Sequence, residues 1–399
     1  MQKIKLLFVI SNINIGGPQK SLLALLDKID YNLFDVDIYV MKPGGLLKNY
    51  YNSNINFLET DDLITATTIP SENTIRHLSI FIKKGKIKMF FSALGALINH
   101  VIFRKNMNQE RQKFWGKYKD AIPRLVGNYD LAFGILGLST YFLIDLVEAG
   151  KKFHWIRSDT RILNRDTKID ASYYKKLDGS LSVSLECAEI FIEMYPFMKD
   201  KVEVFYNHIP VSFYKNLDYD ENILGTDDNE IKLITVTRLD PLKGIEMAIE
   251  ACSILIEKGY KIKWFILGDG KFRNEIEKMI DVKGIKGSFI LLGFQLNTLS
   301  FINDADIFVH PSRTEGKSNA VDEAKFVGKP IVVTNYDTVR EQIEDGVTGL
   351  ICEMSGEEIA NSIEKILKDN SLKKKLIENC KESHDGTIDV TNFFQTCLV

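Results

Sequence analysis

The feature that most constrains this 399-residue chain is an alternation that runs, stops and starts again. Strand-length apolar runs occur at "IKLLFVI" (4–10), "FDVDIYVM" (34–41), "YDLAFGIL" (129–136), "KFHWI" (152–156), "GSLSVS" (179–184) and "VEVFY" (202–206). Most are followed by helix-like segments such as "STYFLIDLVEAG" and "LECAEIFIEMY". Strands alternating with helices on this spacing predict a parallel sheet covered on both faces. A polar stretch, "NHIPVSFYKNLDYDENILGTDDNE" (207–230), interrupts the pattern. It then restarts with "IKLITVT" (231–237), "KIKWFILG" (261–268), "SFILLG", "ADIFVHP" and "KPIVVTN". The stretch therefore reads as a linker between two doubly wound α/β domains, 1–210 and 211–384. Residues 385–399 are expected to form a segment that returns to the first domain.

Composition agrees with two packed domains. A hydrophobic content of 45% over this length supplies substantial cores, and 26% charged residues with a net charge of −3 argue against a disordered chain. No apolar stretch approaches 18 residues, so no spanning helix is expected. The start, "MQKIKLLFVISNINIGG", superficially resembles a signal peptide. Its apolar run is short, lacks a small-residue cleavage site and flows into a Gly-Gly turn, which suits a first strand better. The five cysteines are scattered without metal-ligand spacing, as expected of reduced thiols in an intracellular protein.

The small net charge hides an asymmetry. Residues 1–210 hold 28 Lys and Arg against 22 Asp and Glu; the remainder holds 23 against 32. Residues 76–124 alone carry twelve basic side chains and two acidic ones, interleaved with Ile, Leu, Phe and Trp. Such a basic amphipathic helical insert suits an anionic lipid surface, or else packs as ordinary helices with solvated basic faces. No recognised nucleic-acid motif accompanies it, so nucleic acid is not an expected partner.

Ligands of doubly wound sheets bind outside the carboxyl ends of the strands, so chemistry is sought there. In "SNINIGGPQKSLL" (11–23), Gly16 and Gly17 open a helix with Pro18 in its first turn and Lys20 nearby. The stretch matches neither G-x-G-x-x-G nor G-x-x-x-x-G-K-[ST], and it equally suits a plain strand-to-helix turn. In "TRLDPLKGIEMAI" (237–249), Arg238 and Lys243 flank a Pro-containing turn after a strand. Two fixed cations there would neutralise a diphosphate and steady it as a leaving group. Gly268 and Gly270 in "LGDGKF", and Gly293 with Phe294 in "LLGFQ", lie at the next two strand ends. They would let backbone approach a ring or phosphate, or are ordinary turns.

"RTEGKSNAVDEAKFVGKPIVVTN" (313–335) places Glu315 before a helix and Glu323 inside it. Gly316, Lys317, Ser318 and Asn319 form the intervening turn, with Ser318 or Asn319 as N-cap. Ionised carboxylates are pure acceptors. Glu315 could accept from sugar hydroxyls, Glu323 from a vicinal diol such as a ribose, and the helix N-terminus could face a phosphate.

Together these stretches resemble the donor-binding half of GT-B glycosyltransferases, specifically retaining family 4, the glycosyl transferases group 1. The resemblance rests on "ADIFVHPSRTEGKSNAVDEAKFVGKPIVVTN" with its E-x7-E spacing, "EDGVTGLI", "TRLDPLKG", "GDG", "LLGF" and, loosely, "GGPQKSL". It implies two Rossmann-like domains facing a central cleft. It also implies retaining, metal-independent transfer from a nucleotide-sugar, UDP-sugar first and GDP-sugar next, to a glycan or lipid-linked acceptor in cell-surface polysaccharide synthesis. The nucleotide-sugar would be a substrate, and no cofactor is expected. Arg238 and Lys243 would hold the diphosphate, Glu323 the ribose, and Glu315 with residues 316–319 the transferred sugar; Gly16, Gly17, Lys20, His154 and Arg157 would lie on the acceptor side.

The chain departs from the family pattern where "HWIRSD" has Arg157 at a position often held by histidine, and where "EGKS" replaces an aromatic and a proline. The basic insert would bring the protein to the inner face of the cytoplasmic membrane. A nucleotide-sugar epimerase on the same fold and a catalytically silent nucleotide-sugar-binding partner are the competing readings. A dinucleotide oxidoreductase is disfavoured by the missing G-x-G-x-x-G.

Overall fold

The computed structural model describes residues 2–68, 74–217, 222–225, 227, 229–382 and 389–398. The expected boundary at 384/385, His384 and part of the polar stretch lie outside these. The chain divides into two compact units: the residues up to His208 together with the last helix, Val390–Leu398, and the residues from Ile209 onward up to that helix.

Unit 1 contains seven parallel strands: β1 (Ile4–Ile10), β2 (Phe34–Val40), β3 (Ile55–Phe57), β4 (Asn128–Ile135), β5 (Glu148–Ile156), β6 (Gly179–Ser182) and β7 (Val202–Val204). Their order is β3-β2-β1-β4-β5-β6-β7. Strand β3 is only three residues long, too short to show a period in the sequence. The run from Leu6 to Ile10 is buried throughout, as a strand covered on both faces must be. Alternation sends Leu7 and Val9 to a cluster with Tyr39, Trp115 and Phe142, while Phe8 points the other way. Register places Phe8 beside Phe133 and Phe133 beside Phe153. The rings stack with centroids 5.1 and 5.2 Å apart, and Phe394 of the last helix meets this ladder edge-on.

Unit 2 contains β8 (Ile231–Val236), β9 (Ile262–Leu267), β10 (Phe289–Gly293), β11 (Ile307–His310), β12 (Ile331–Thr334) and β13 (Leu350–Cys352). All are parallel, in the order β10-β9-β8-β11-β12-β13. Leu233, Trp264, Val309 and Val332 face the helices Ile245–Glu257 and Gly356–Lys368. Their neighbours Ile234, Phe265, Phe308 and Val333 face Val321 and Ala324 of the helix Asn319–Phe326. Strand order reverses between β8 and β11. That reversal leaves a crevice at the carboxyl ends, where the connecting loops diverge to opposite faces.

Candidate active site

The loop after β8 carries Arg238 and Lys243. Asp240 caps the turn Pro241–Lys243 by accepting from the Leu242 amide at 3.0 Å. Gly244 follows in the left-handed region, at φ 61°, and a Cβ there would collide with the Pro311 carbonyl. Glycine is therefore what lets this loop press against the loop after β11. The Arg313 amide donates to the Leu242 carbonyl at 2.8 Å, and Ser312 Oγ donates to it at 3.3 Å.

That contact brings Lys243 Nζ to 2.6 Å from Glu315 Oε1, although 72 positions separate them. His310, the last residue of β11 and 2% exposed, holds the same oxygen at 2.9 Å through Nε2. An ionised carboxylate only accepts, so Nε2 carries the proton; Nδ1 is buried without a partner. Burial works against ionisation of Glu315. The His310 hydrogen bond and the Lys243 charge outweigh it and hold its pKa down at about 2.

Arg238 is exposed, with no ion pair or hydrogen bond among the described residues. Its loop is braced from β9. Gly268 sits at φ 134°, where a Cβ would collide with the Thr237 carbonyl, and Gly270 lies as tightly against Leu239. The Gly268 amide donates to the carbonyl of Gly293 at 2.7 Å, which ties in the end of β10; Phe294 beyond it is 48% exposed.

Glu323 is 3% exposed and already well partnered. Oε1 accepts from the Tyr214 phenol at 2.5 Å and Oε2 from Thr298 at 2.8 Å. Burial first, then the Glu323 charge, push the Tyr214 pKa far above the phenol range. Ser318 is the N-cap of the helix Asn319–Phe326, with Oγ accepting from the Val321 amide at 3.4 Å. Gln342 clamps this end, accepting from the Ser318 amide at 2.8 Å and donating to Asp322 at 2.8 Å. Lys317 Nζ lies 2.6 Å from Asp322, both nearly buried, so its charge is neutralised within the turn.

In unit 1, Gly17 begins the helix Gly17–Leu26, with Gly16 extended before it and Lys20 buried on its first turn. Ser21 on that helix accepts from Arg157 Nη2 at 2.7 Å, and Asn207, just past β7, accepts from Nη1 at 2.6 Å. The guanidinium lies over Trp155, 5.0 Å from the ring centroid. It has no carboxylate partner among the described residues, and burial pushes its pKa down to about 9. His154 points elsewhere. Its Nδ1 is 2.7 Å from Thr140 Oγ and its ring stacks on Tyr174, and burial lowers its pKa to about 4. It is a neutral core residue, whereas Arg157 stands just beyond the end of β5.

The structure thus gathers Lys243 and Glu315 directly and braces the loop that carries Arg238 by Gly268 and Gly270. It gathers Gly17 and Arg157 through Ser21. Sequence reasoning missed Tyr214, which lies within the stretch read as linker, and Thr298 and Gln342, whose signals are single polar residues. His310 had one signal, its place before Pro311 at a strand end.

Residues 218–383 match the family model described as glycosyl transferases group 1. The chain is 32% identical over 158 residues to alpha-D-kanosaminyltransferase of Streptomyces kanamyceticus, covering 39% of this chain and 41% of that protein. It is 28% identical over 166 residues to the capsular polysaccharide biosynthesis glycosyltransferase CapM of Staphylococcus aureus, covering 41% and 42%. The chain therefore spans under half the length of these two curated relatives. Its backbone resembles Anabaena HepE in complex with UDP and glucose, with TM-score 0.69 and 14% identity over 99% of this chain and 98% of that one. The chain has the GT-B fold, and residues 218–383 of its second unit carry the sequence pattern of glycosyl transferases group 1.

Proposed function

We propose that the protein is a glycosyltransferase that moves a sugar from a nucleotide diphosphate, a UDP-sugar first and a GDP-sugar next, to a glycan or lipid-linked acceptor in cell-surface polysaccharide synthesis. The observation that carries this is the cluster at the reversal between β8 and β11. There an exposed Arg238, with no ion pair or hydrogen bond among the described residues, lies on the same loop as Lys243, which is paired with a half-buried, ionised Glu315. Arg238 and Lys243 would meet the diphosphate and stabilise it as a leaving group, supplying positive charge without a metal. Glu323, fixed by Tyr214 and Thr298, would take the ribose hydroxyls, and Glu315 with residues 316–319 the transferred sugar. Attack by the acceptor on the face the diphosphate leaves would retain the anomeric configuration. Gly16, Gly17, Lys20 and Arg157 would serve the acceptor side.

UDP-bound HepE and the polysaccharide-synthesis relatives support this reading. The test is thermal stabilisation by UDP and GDP on wild type and Arg238→Ala. A nucleotide at a hundred times its dissociation constant adds about 2.7 kcal/mol. We expect a shift with UDP that shrinks in the variant; no shift with either nucleotide overturns the reading. With a donor found, NMR of the product's anomeric centre decides between retention and inversion.

A further inference from the structure

The donor site leaves unused a surface in unit 1. Helices Thr74–Lys83 and Ile87–Val101 pack inward through Phe81, Met89 and Ala93 against Phe114 of the helix Met107–Tyr118. On the side opposite Met89 and Ala93, Ile87, Phe91, Ile98 and Ile102 follow at spacings of four, seven and four, which puts them in one stripe. They are 48%, 64%, 41% and 67% exposed, and Val101 and Phe103 continue the patch. Soluble proteins seldom leave so much contiguous apolar surface uncovered without a use for it.

The charges around the stripe identify what covers it. Lys83, Lys84, Lys86 and Lys88 stand at one end and Arg104 and Lys105 at the other, and no Asp or Glu occurs from residue 73 to 109. None of the six forms an ion pair among the described residues. A second copy of this chain would bring like charges together at both ends. No helix among the described residues is long and apolar enough to cross a membrane. We propose that this face lies on an anionic phospholipid bilayer, with the stripe entering the interface and the flanking Lys and Arg meeting lipid phosphates. The surface belongs wholly to unit 1, so the proposal stands or falls apart from the donor-site reading.

The experiment is flotation of the full chain with phosphatidylglycerol-rich vesicles and with pure phosphatidylcholine vesicles. Wild type is expected to float with the former alone. Removing Lys83, Lys84, Lys86 and Lys88 together (each Lys→Gln) should weaken partitioning by roughly fivefold per lysine. Phe91→Asn with Ile98→Asn should leave binding that salt strips completely, whereas wild-type binding survives salt in part. These positions are exposed, and an unchanged melting temperature checks that each variant is folded. Failure of wild type to float, or unaltered binding in either variant, overturns the proposal. An oligomer that Phe91→Asn with Ile98→Asn dissociates, without vesicle binding by wild type, would instead assign the stripe to a second copy.

Discussion

The two units place a cation at a strand end in opposite ways. In unit 2, Lys243 has a full counter-charge, with Glu315 at 2.6 Å and His310 on the same oxygen. In unit 1, Arg157 has, among the described residues, only the neutral hydrogen-bond partners Ser21 and Asn207, and burial lowers its pKa to about 9. The same contrast runs through the chain's composition, since the excess of basic residues lies in the first half and the acidic excess in the second. The lesson is electrostatic. A pre-paired cation is a rigid part of its unit, and losing its partner strands a charge. A cation on neutral dipoles contributes little to stability and keeps its charge for something else.

Four measurements would break or sharpen that contrast, taken from the largest expected effect downward. Glu315→Gln should cost about 3 kcal/mol at neutral pH, because the native pKa of about 2 lies well below the ordinary 4.5. A depressed carboxyl pKa stabilises the fold above the unfolded value and loses that contribution as pH falls through the native one. The difference between variant and wild type, read by urea unfolding, should therefore hold above about pH 4.5 and fade toward pH 2. A pH-independent difference would show that packing, and not charge, is what the pair supplies.

Tyr214→Phe removes a donor to the buried Glu323 carboxylate and should cost about 2 kcal/mol. UDP binding should weaken with it, because the carboxylate then loses its tyrosine donor; unchanged UDP binding would mean that Glu323 is structural. Arg157→Met should stay within about 1 kcal/mol of wild type or exceed it, since a buried cation without a carboxylate adds little. A loss as large as that of Glu315→Gln would erase the contrast between the units. Arg238→Ala should leave stability within about 0.5 kcal/mol, its side chain being exposed and uncommitted, while UDP affinity falls about tenfold.

Much of this was legible in one dimension because its causes are local. The period of the apolar runs reported β1, β2 and β8–β12 directly, since a strand covered on both faces must be apolar along its length. Gly16-Gly17-Pro18 and Ser318 announced helix starts through turn and cap chemistry. The spacing of Glu315 and Glu323 carried the likeness to the donor-binding half. What escaped was either too short to show a period, as with β3, or a pairing across a long loop. Tyr214 and Glu323 are 109 positions apart, and the tyrosine lay in a stretch whose composition reads as linker.

The sequence by itself therefore determined the doubly wound α/β class, the restart after residue 230 and the strand ends where chemistry could sit, because periodicity and turn residues act within a few positions. Tertiary structure alone decided which of those residues already have a partner within the fold. Lys317 is paired with Asp322, His154 with Thr140 in the core and Lys243 with Glu315, while Arg238 forms no ion pair or hydrogen bond among the described residues. Partner choice between charges depends on distance and burial, and the chain acquires both only when loops from different strands are brought together.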